Sequence, residues 1–336
     1  MAASTGETRI TTALQEHGPK VHSAKVAVVG TGAVGMAVTY ALLNQGLCSS
    51  LALIDVDQDK VKGELDDLQH GAAFIEQVEL EGGKDYEHCA GAALVIITAG
   101  VRQREGETRL QLLERNVRVF QMIVPNVVKH APEASMLIVT NPCDIMTAVA
   151  AKLSGLPPGR VFGSGTSLDS SRFRSLIAKE LGVAIRSVHG YILGEHGDSS
   201  VPIWSQVSVG CSPLASAVDA SLGTHQPGGV WSGMHQDVVK AAYSVIKAKG
   251  YTNWAIGLTV ASIARAVLRD ERRVLPVSVP AQGHHDIHHD VYLSLPAVVG
   301  AGGALSIISA TLARHETEML QKSAEALHTT AAGLAF

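Results

Sequence analysis

Six residues, Gly30-Thr31-Gly32-Ala33-Val34-Gly35, narrow most sharply what this chain can become. They spell G-x-G-x-x-G between a short β-branched run at 25–30 (KVAVVG) and a helical pattern over 32–46. A second apolar run, 51–55 (LALID), ends at Asp55, 20 residues after Gly35. Alone, such a hexad is a weak signal. After a strand, before a helix and followed at that distance by an acid, it is the fingerprint of a dinucleotide-binding βαβ unit. Gly30 permits the tight turn, Gly32 lets a pyrophosphate approach the backbone, and Gly35 lets the helix pack closely on the sheet. The free N–H groups at the helix start favour a diphosphate. Asp55 can accept both ribose hydroxyls and repels a 2′-phosphate, so NAD is favoured over NADP. The bland alternative is a glycine turn in a sheet that binds nothing.

The alternation continues. A helix is expected over 59–70, a strand at 93–100 (ALVIITAG), a long helix over 109–130 with a kink at Pro125, and a strand at 135–141 (SMLIVTN) stopped by Pro142. This order implies a parallel sheet with helices on both faces. Beyond about Gly163 the pattern changes. Helix is expected over 166–182, strands at 187–193 and 201–209, helix over 231–268 broken near Gly250, a hairpin from 273–279 and 290–295, and an amphipathic helix over 314–328. The expected fold is α/β: a Rossmann doubly wound parallel sheet followed by an α+β catalytic domain. The 336 residues divide into an N-terminal arm (1–22), a dinucleotide-binding domain (23–163) and a catalytic, substrate-binding domain (164–336). Part of 248–268 is expected to pack back on the first domain.

Composition excludes some partners. The net charge is −4 and aromatics are 4%, so neither a global pull on nucleic acid or membrane nor a base-stacking platform is expected. No apolar stretch reaches the roughly 18 residues of a spanning helix. Residues 1–22 lack the apolar core of a secretory signal and the arginine enrichment of a transit peptide. Cys48, Cys89, Cys143 and Cys211 form no CxxC pair and read as buried small apolar residues of a reducing compartment. A cytoplasmic protein is expected.

Three further segments carry chemistry. Residues 99–109 (AGVRQREGETR) are polar, hold two glycines and follow a strand, which suits a lid as well as a solvated loop. Asp169 and Arg172, three apart, share a face if helical, as a site or as a surface ion pair. His196 stands between Gly194 and Gly197, where a ring oriented by a carboxylate could shuttle protons. Glu195, His196 and Asp198 lack a metal-ligand spacing. Ser164 lies between glycines, but Phe162 breaks the nucleophile-elbow pattern. The run 284–289 (HHDIHH) reads mainly as a solvated turn, and no metal is expected.

In order, these segments carry a likeness. The chain resembles the L-lactate dehydrogenases over roughly 25–327, through GTGAVG (30–35), AGVRQREGETRLQLLERNV (99–117), TNPCDI (140–145), GSGTSLDSSRFR (163–174), GEHGDSSVP (194–202) and KGYTNWAIG (249–257). Residues 269–279 and 290–296 look most like plant-type members. The 284–289 run departs from the family's usual loop. The resemblance implies NAD-dependent interconversion of pyruvate and L-lactate, a step of glycolysis or fermentation, by a cytoplasmic homotetramer. It implies His196 as proton donor and acceptor, Asp169 as its orienting partner, Arg172 as anchor of the substrate carboxylate and Arg109 as the arginine polarising the carbonyl. Asn141 and Thr252 match substrate-contacting positions; Asn141 and Arg102 also lie on the cofactor side. By the same resemblance Gln103, six before the lid arginine, is expected to face the substrate's variable end. A neutral amide there leaves a second carboxylate unpaired, so pyruvate fits better than oxaloacetate. Arg102 and Arg104 flank Gln103 and keep malate dehydrogenase as the alternative. The alternative outside enzymes is a non-catalytic NAD-binding paralogue, which would have been free to lose His196, Asp169, Arg109 or Arg172.

Overall fold

The computed structural model describes residues 11–13, 24–101, 109–214, 231 and 233–333; at 11–13 and at Arg109 the description is of the backbone alone. Strand β1 (Thr11–Ala13) lies at one edge of a ten-stranded sheet. Six parallel strands follow: β2 (Lys25–Val29), β3 (Ser50–Ile54), β4 (Glu79–Gly83), β5 (Leu94–Ile97), β6 (Ser135–Ile138) and β7 (Val161–Gly163). Their spatial order is β4-β3-β2-β5-β6-β7. This is the doubly wound order, and the direction of winding reverses between β2 and β5. Strands β2, β3, β5 and β6 are almost wholly buried, which accounts for their continuous apolar sequences. Helices α1 (Ala33–Asn44), α2 (Gln58–His70), α3 (Arg109–His130) and α4 (Cys143–Ser154) connect them.

The second half does not build a separate main sheet. Strands β13 (Arg273–Pro280), β14 (Tyr292–Gly300) and β15 (Gly303–Ile308) form the antiparallel hairpin region, and they extend the parallel sheet. The join is β13 beside β7, with Ser278 opposite Gly163. A Cβ on Gly163 would lie 2.4 Å from Thr147 Oγ1 and 2.8 Å from Ser278 Cβ, so only glycine lets the two halves meet this closely. The expected strands at 187–193 and 201–209 are short pieces: β8 (Val188–His189), β9 (Ile192–Leu193), β10 (Val201–Pro202), β11 (Ser208–Val209) and β12 (Ser212–Pro213). Helices α5 (Ser167–Leu181), α6 (Met234–Lys249), α7 (Trp254–Leu268) and α8 (Arg314–Ala331) complete the α-helices among the described residues. The break between α6 and α7 falls at Gly250, whose φ of +90° suits a glycine. Helix α7 packs on α1, where a Cβ at Gly257 would lie 2.7 Å from the Ala37 carbonyl oxygen.

Helix α3 runs on through Pro125. Proline removes the N–H that Gln121's carbonyl would accept from, and both residues lie on the exposed side, where water can replace it. One large apolar core flanks the sheet. A second, smaller core joins α5 and α6 through Phe173, Trp204, Trp231 and Met234, with the Phe173 and Trp204 rings edge-on at 4.7 Å.

Candidate active site

At the winding reversal, the loop after β2 lies beside the end of β5. Gly30 has φ +103°, and its N–H donates to the Ile54 carbonyl at 2.7 Å. A Cβ on Gly30 would sit 2.6 Å from the Ala99 nitrogen, and one on Gly35 would meet the Gly30 carbonyl oxygen at 1.8 Å. These two are glycine because the protein itself leaves no room. Gly32 differs: a Cβ there meets nothing within 4 Å, and no side chain caps the start of α1. The uncapped N–H groups face open space, which is where a diphosphate group fits.

Asp55, at the end of β3, is held ready beside this loop. Its Oδ2 accepts from the Thr31 N–H at 2.7 Å and the Thr31 hydroxyl at 3.0 Å, and its Oδ1 accepts from the Asp57 N–H at 3.2 Å. Partial burial raises its pKa, but these donors more than offset that, so the carboxyl lies below its ordinary value and is ionised at neutral pH. Asp55 is the acid expected from the sequence; Thr31, which fixes it, is not signalled by the glycine pattern. Open space, free N–H groups and a fixed carboxylate fit a dinucleotide with free ribose hydroxyls.

The second half of the site hangs from α5. Asp169 and Arg172 share the helix face that their spacing implies, and Arg172 Nη1 donates to Asp169 Oδ1 at 2.9 Å. The other oxygen, Oδ2, takes the His196 Nδ1 at 2.5 Å. The Asp169 side chain is 8% exposed and that of His196 is 27% exposed. With Nδ1 engaged, Nε2 is the ring nitrogen left for a ligand. Burial raises the Asp169 pKa, but the charges and hydrogen bonds of His196 and Arg172 dominate and hold it below the ordinary carboxyl value. Burial alone would lower the imidazole's pKa; the Asp169 charge and hydrogen bond, with Asp144 behind, outweigh it and raise it above ordinary histidine.

Backbone stapling fixes the His196 loop. Thr166 Oγ1 donates to the Ile192 carbonyl at 2.5 Å, and the Ile192 N–H donates to Ser170 Oγ at 2.9 Å, so α5 and β9 move as one. Gly194, at φ +84°, exchanges two backbone hydrogen bonds with Ser294 of β14. Behind the loop lies Asp144, in the first turn of α4. Its Oδ2 accepts from the His196 backbone N–H at 2.7 Å. In the sequence Asp144 stands out only as an acid in the otherwise apolar start of a helix.

Buried Asn116, likewise not signalled in the sequence, accepts from the Val101 N–H at 2.8 Å and donates to the Asn141 carbonyl at 3.3 Å, tying the ends of β5 and β6 together. Asn141 is exposed, and Thr252 is half-buried between α6 and α7. Neither hydrogen-bonds to Asp169, Arg172 or His196 among the described residues. Arg102, Gln103 and the Arg109 side chain lie outside the described residues.

The 284–289 run is a turn with His285 at φ +50° and Asp286 at φ +59°. His289 stacks on His328 of α8 at 4.3 Å, and Gln321 donates to the His285 carbonyl. Among the described residues no group of three or more His, Cys, Asp or Glu could hold a metal ion. Ser164 is buried against Cys143 Sγ at 3.7 Å, far from a nucleophile's exposed position. All four cysteines are free; Cys89 and Cys143 are buried, but Cys48 is half-buried and Cys211 is exposed at the β11–β12 turn, which corrects the reading of all four as buried.

A glycine loop with no room for side chains, an ionised acid held beside it and a carboxylate-oriented histidine fit an NAD-dependent oxidoreductase. Residues 24–163 match the model of the lactate/malate dehydrogenase NAD binding domain, and 166–334 match that of the lactate/malate dehydrogenase alpha/beta C-terminal domain. An L-lactate dehydrogenase of Petromyzon marinus is 52% identical over 303 residues, 90% of each chain. The L-lactate dehydrogenase A chain of Ambystoma mexicanum is 49% identical over 312 residues, 93% of each chain. That of Trachemys scripta elegans is 51% identical over 303 residues, 90% of this chain and 91% of the relative. The chain belongs to the lactate/malate dehydrogenase family, among its NAD-dependent L-lactate dehydrogenases.

Proposed function

We propose that the chain interconverts pyruvate and L-lactate, with His196 as the proton carrier, Asp169 as its orienting partner and Arg172 as the anchor of the substrate carboxylate. One observation carries this reading: a single buried carboxylate, Asp169, grips the histidine with one oxygen and the arginine with the other. The distance and direction between proton and anion sites are thereby set by one rigid group. NADH, when bound, supplies the hydride to the carbonyl carbon. His196 Nε2–H then passes its proton to the former carbonyl oxygen, and Asp169 stabilises the imidazolium before that transfer. Asp169 holds one Nη1–H of Arg172, which aims the guanidinium and leaves its other donors for a carboxylate. Arg109, Asn141 and Thr252 are assigned to the substrate and Asn141 and Arg102 to the cofactor side on the family likeness. On the same basis the chain divides near 163/164 into cofactor and substrate domains.

The pH dependence tests the proton role, with its sign fixed. Reduction needs imidazolium, so kcat/KM for pyruvate falls as pH rises through the His196 pKa, which lies above the ordinary histidine value. Oxidation needs neutral imidazole, so kcat/KM for lactate rises through the same region. Profiles that are flat, or that move in the same direction, contradict the assignment.

Gln103 is proposed to select a methyl over a carboxylate at the substrate's far end. Gln103→Arg is expected to shift the oxaloacetate-to-pyruvate kcat/KM ratio by roughly 10²-fold or more, because a buried second carboxylate gains its counter-charge. An unchanged ratio removes Gln103 from the specificity site.

A homotetramer in the cytoplasm completes the proposal. Its support is the family likeness, the free cysteines, and large apolar side chains left exposed in the single chain, among them Phe74 at 89% and Trp254 at 61%. Sedimentation tests the assembly; a monomer at micromolar concentration contradicts it. Among the described residues no helix is long and apolar enough to cross a membrane.

A further inference from the structure

Asp144 is 2% exposed and sits where the parallel and antiparallel parts of the sheet meet. Its two oxygens have separate partners. Oδ2 accepts from the His196 backbone N–H at 2.7 Å, and Oδ1 accepts from the Ser278 hydroxyl at 2.6 Å. Ser278 is fully buried and stands opposite Gly163 at the one described pairing of β13 with β7. The carboxylate therefore belongs to α4 of the first half, while both donors belong to the second. No arginine or lysine pairs with it among the described residues.

We propose that Asp144 is a positioning residue for the proton-carrying histidine: its buried carboxylate anchors the His196 backbone and gives the imidazolium a second negative neighbour. This rests on the reading of His196 as proton carrier. An apolar residue would fit the interior better if packing alone mattered, since a buried unpaired carboxylate is costly. The cost shows in its titration. Burial raises the Asp144 pKa, the Ser278 hydroxyl, the His196 N–H and the His196 charge pull it back only in part, and it stands at about 6. Above that value the carboxylate is charged, which is where the imidazole would otherwise begin to lose its proton. Other groups near the ring, among the described residues, are Asp169 and Arg172 on α5, Glu195 beside it, and His235 on α6. Glu195 is turned to Ser199, and His235 Nε2 lies 3.0 Å from Ser200 Oγ. Arg172 opposes the imidazolium and Asp169 supports it; Asp144 adds to the support from the opposite helix.

Asp144→Asn separates charge from shape. The amide oxygen can still accept from the His196 N–H while the amide nitrogen donates to Ser278 Oγ. The readout is the His196 ring titration by NMR in cofactor-free protein with labelled histidine, assigned by comparison with His196→Asn. The titration is expected to move to lower pH in Asp144→Asn. At a pH on the falling limb, pyruvate kcat/KM is expected to drop roughly three- to tenfold while lactate kcat/KM holds or rises. Ser278→Ala does not touch His196; by removing a donor to the carboxylate it is expected to move the titration the same way, by less. The double variant is expected to match Asp144→Asn alone, since both act through one charge. An unchanged His196 titration in Asp144→Asn overturns the proposal. Should that variant fail to fold, an unchanged titration in Ser278→Ala does the same. A titration that moves while the kinetic profile stays put supports Asp144 and counts against His196 as proton carrier.

Discussion

Asp169→Asn is expected to lower kcat/KM for pyruvate by about 10³- to 10⁴-fold, the scale of losing the carboxylate behind a catalytic histidine. The geometry explains why an isosteric change should cost so much. Asp169 accepts from two donors, His196 Nδ1 and Arg172 Nη1, with two different oxygens. Asparagine offers one acceptor and points an NH₂ at the other donor. Either the amide NH₂ faces Nδ1, so that the ring carries its single proton on Nε2 and cannot form the imidazolium, or it faces Arg172, which loses its fixed orientation. The charge that raises the His196 pKa also goes, so reduction should suffer more than oxidation at neutral pH. Steady-state kinetics in both directions measure this, with thermal melting as the check on folding. A loss below tenfold in a folded variant contradicts the dual role.

The second large effect belongs to Arg172→Lys. A point charge cannot reproduce the planar fork that meets a carboxylate with two parallel bonds. Losing one charge-assisted hydrogen bond of about 1.5–3 kcal/mol predicts a rise in pyruvate KM of roughly 10²-fold, with kcat less affected. The substitution also frees Asp169 Oδ1, so some loss of His196 orientation should accompany it. An unchanged KM would sink the assignment of Arg172 as the anchor.

Local stereochemistry made parts of this site readable in advance. Gly30 and Gly35 are forced by clashes with nearby backbone, and the helix that follows them needs no long-range information. Asp169 and Arg172 share a face because helix geometry puts them there. The partnership of Asp169 with His196 spans 27 residues and was legible only through family likeness. Asp144 was missed because its donors are 52 and 134 residues away, and no local pattern announces such a contact. Strands β4 and β7 escaped for another reason. The first, ELEGG, lies at a sheet edge and carries little apolar sequence, and the second has three residues and owes its order to its neighbours. The hairpin of β13 and β14 was legible, but its addition to the parallel sheet depends on one close approach at Gly163. Pro125 does not end α3, because the hydrogen bond it removes lies on a face that meets water.

Side-by-side steady-state kinetics with pyruvate and oxaloacetate, at saturating NADH and followed by nicotinamide absorbance, test the central claim most directly. The arrangement of Asp169, Arg172 and His196, with Gln103 proposed to meet the far end of the substrate, predicts a kcat/KM for pyruvate roughly 10²-fold or more above that for oxaloacetate. Equal values, a preference for oxaloacetate, or no oxidation of NADH with pyruvate would contradict it.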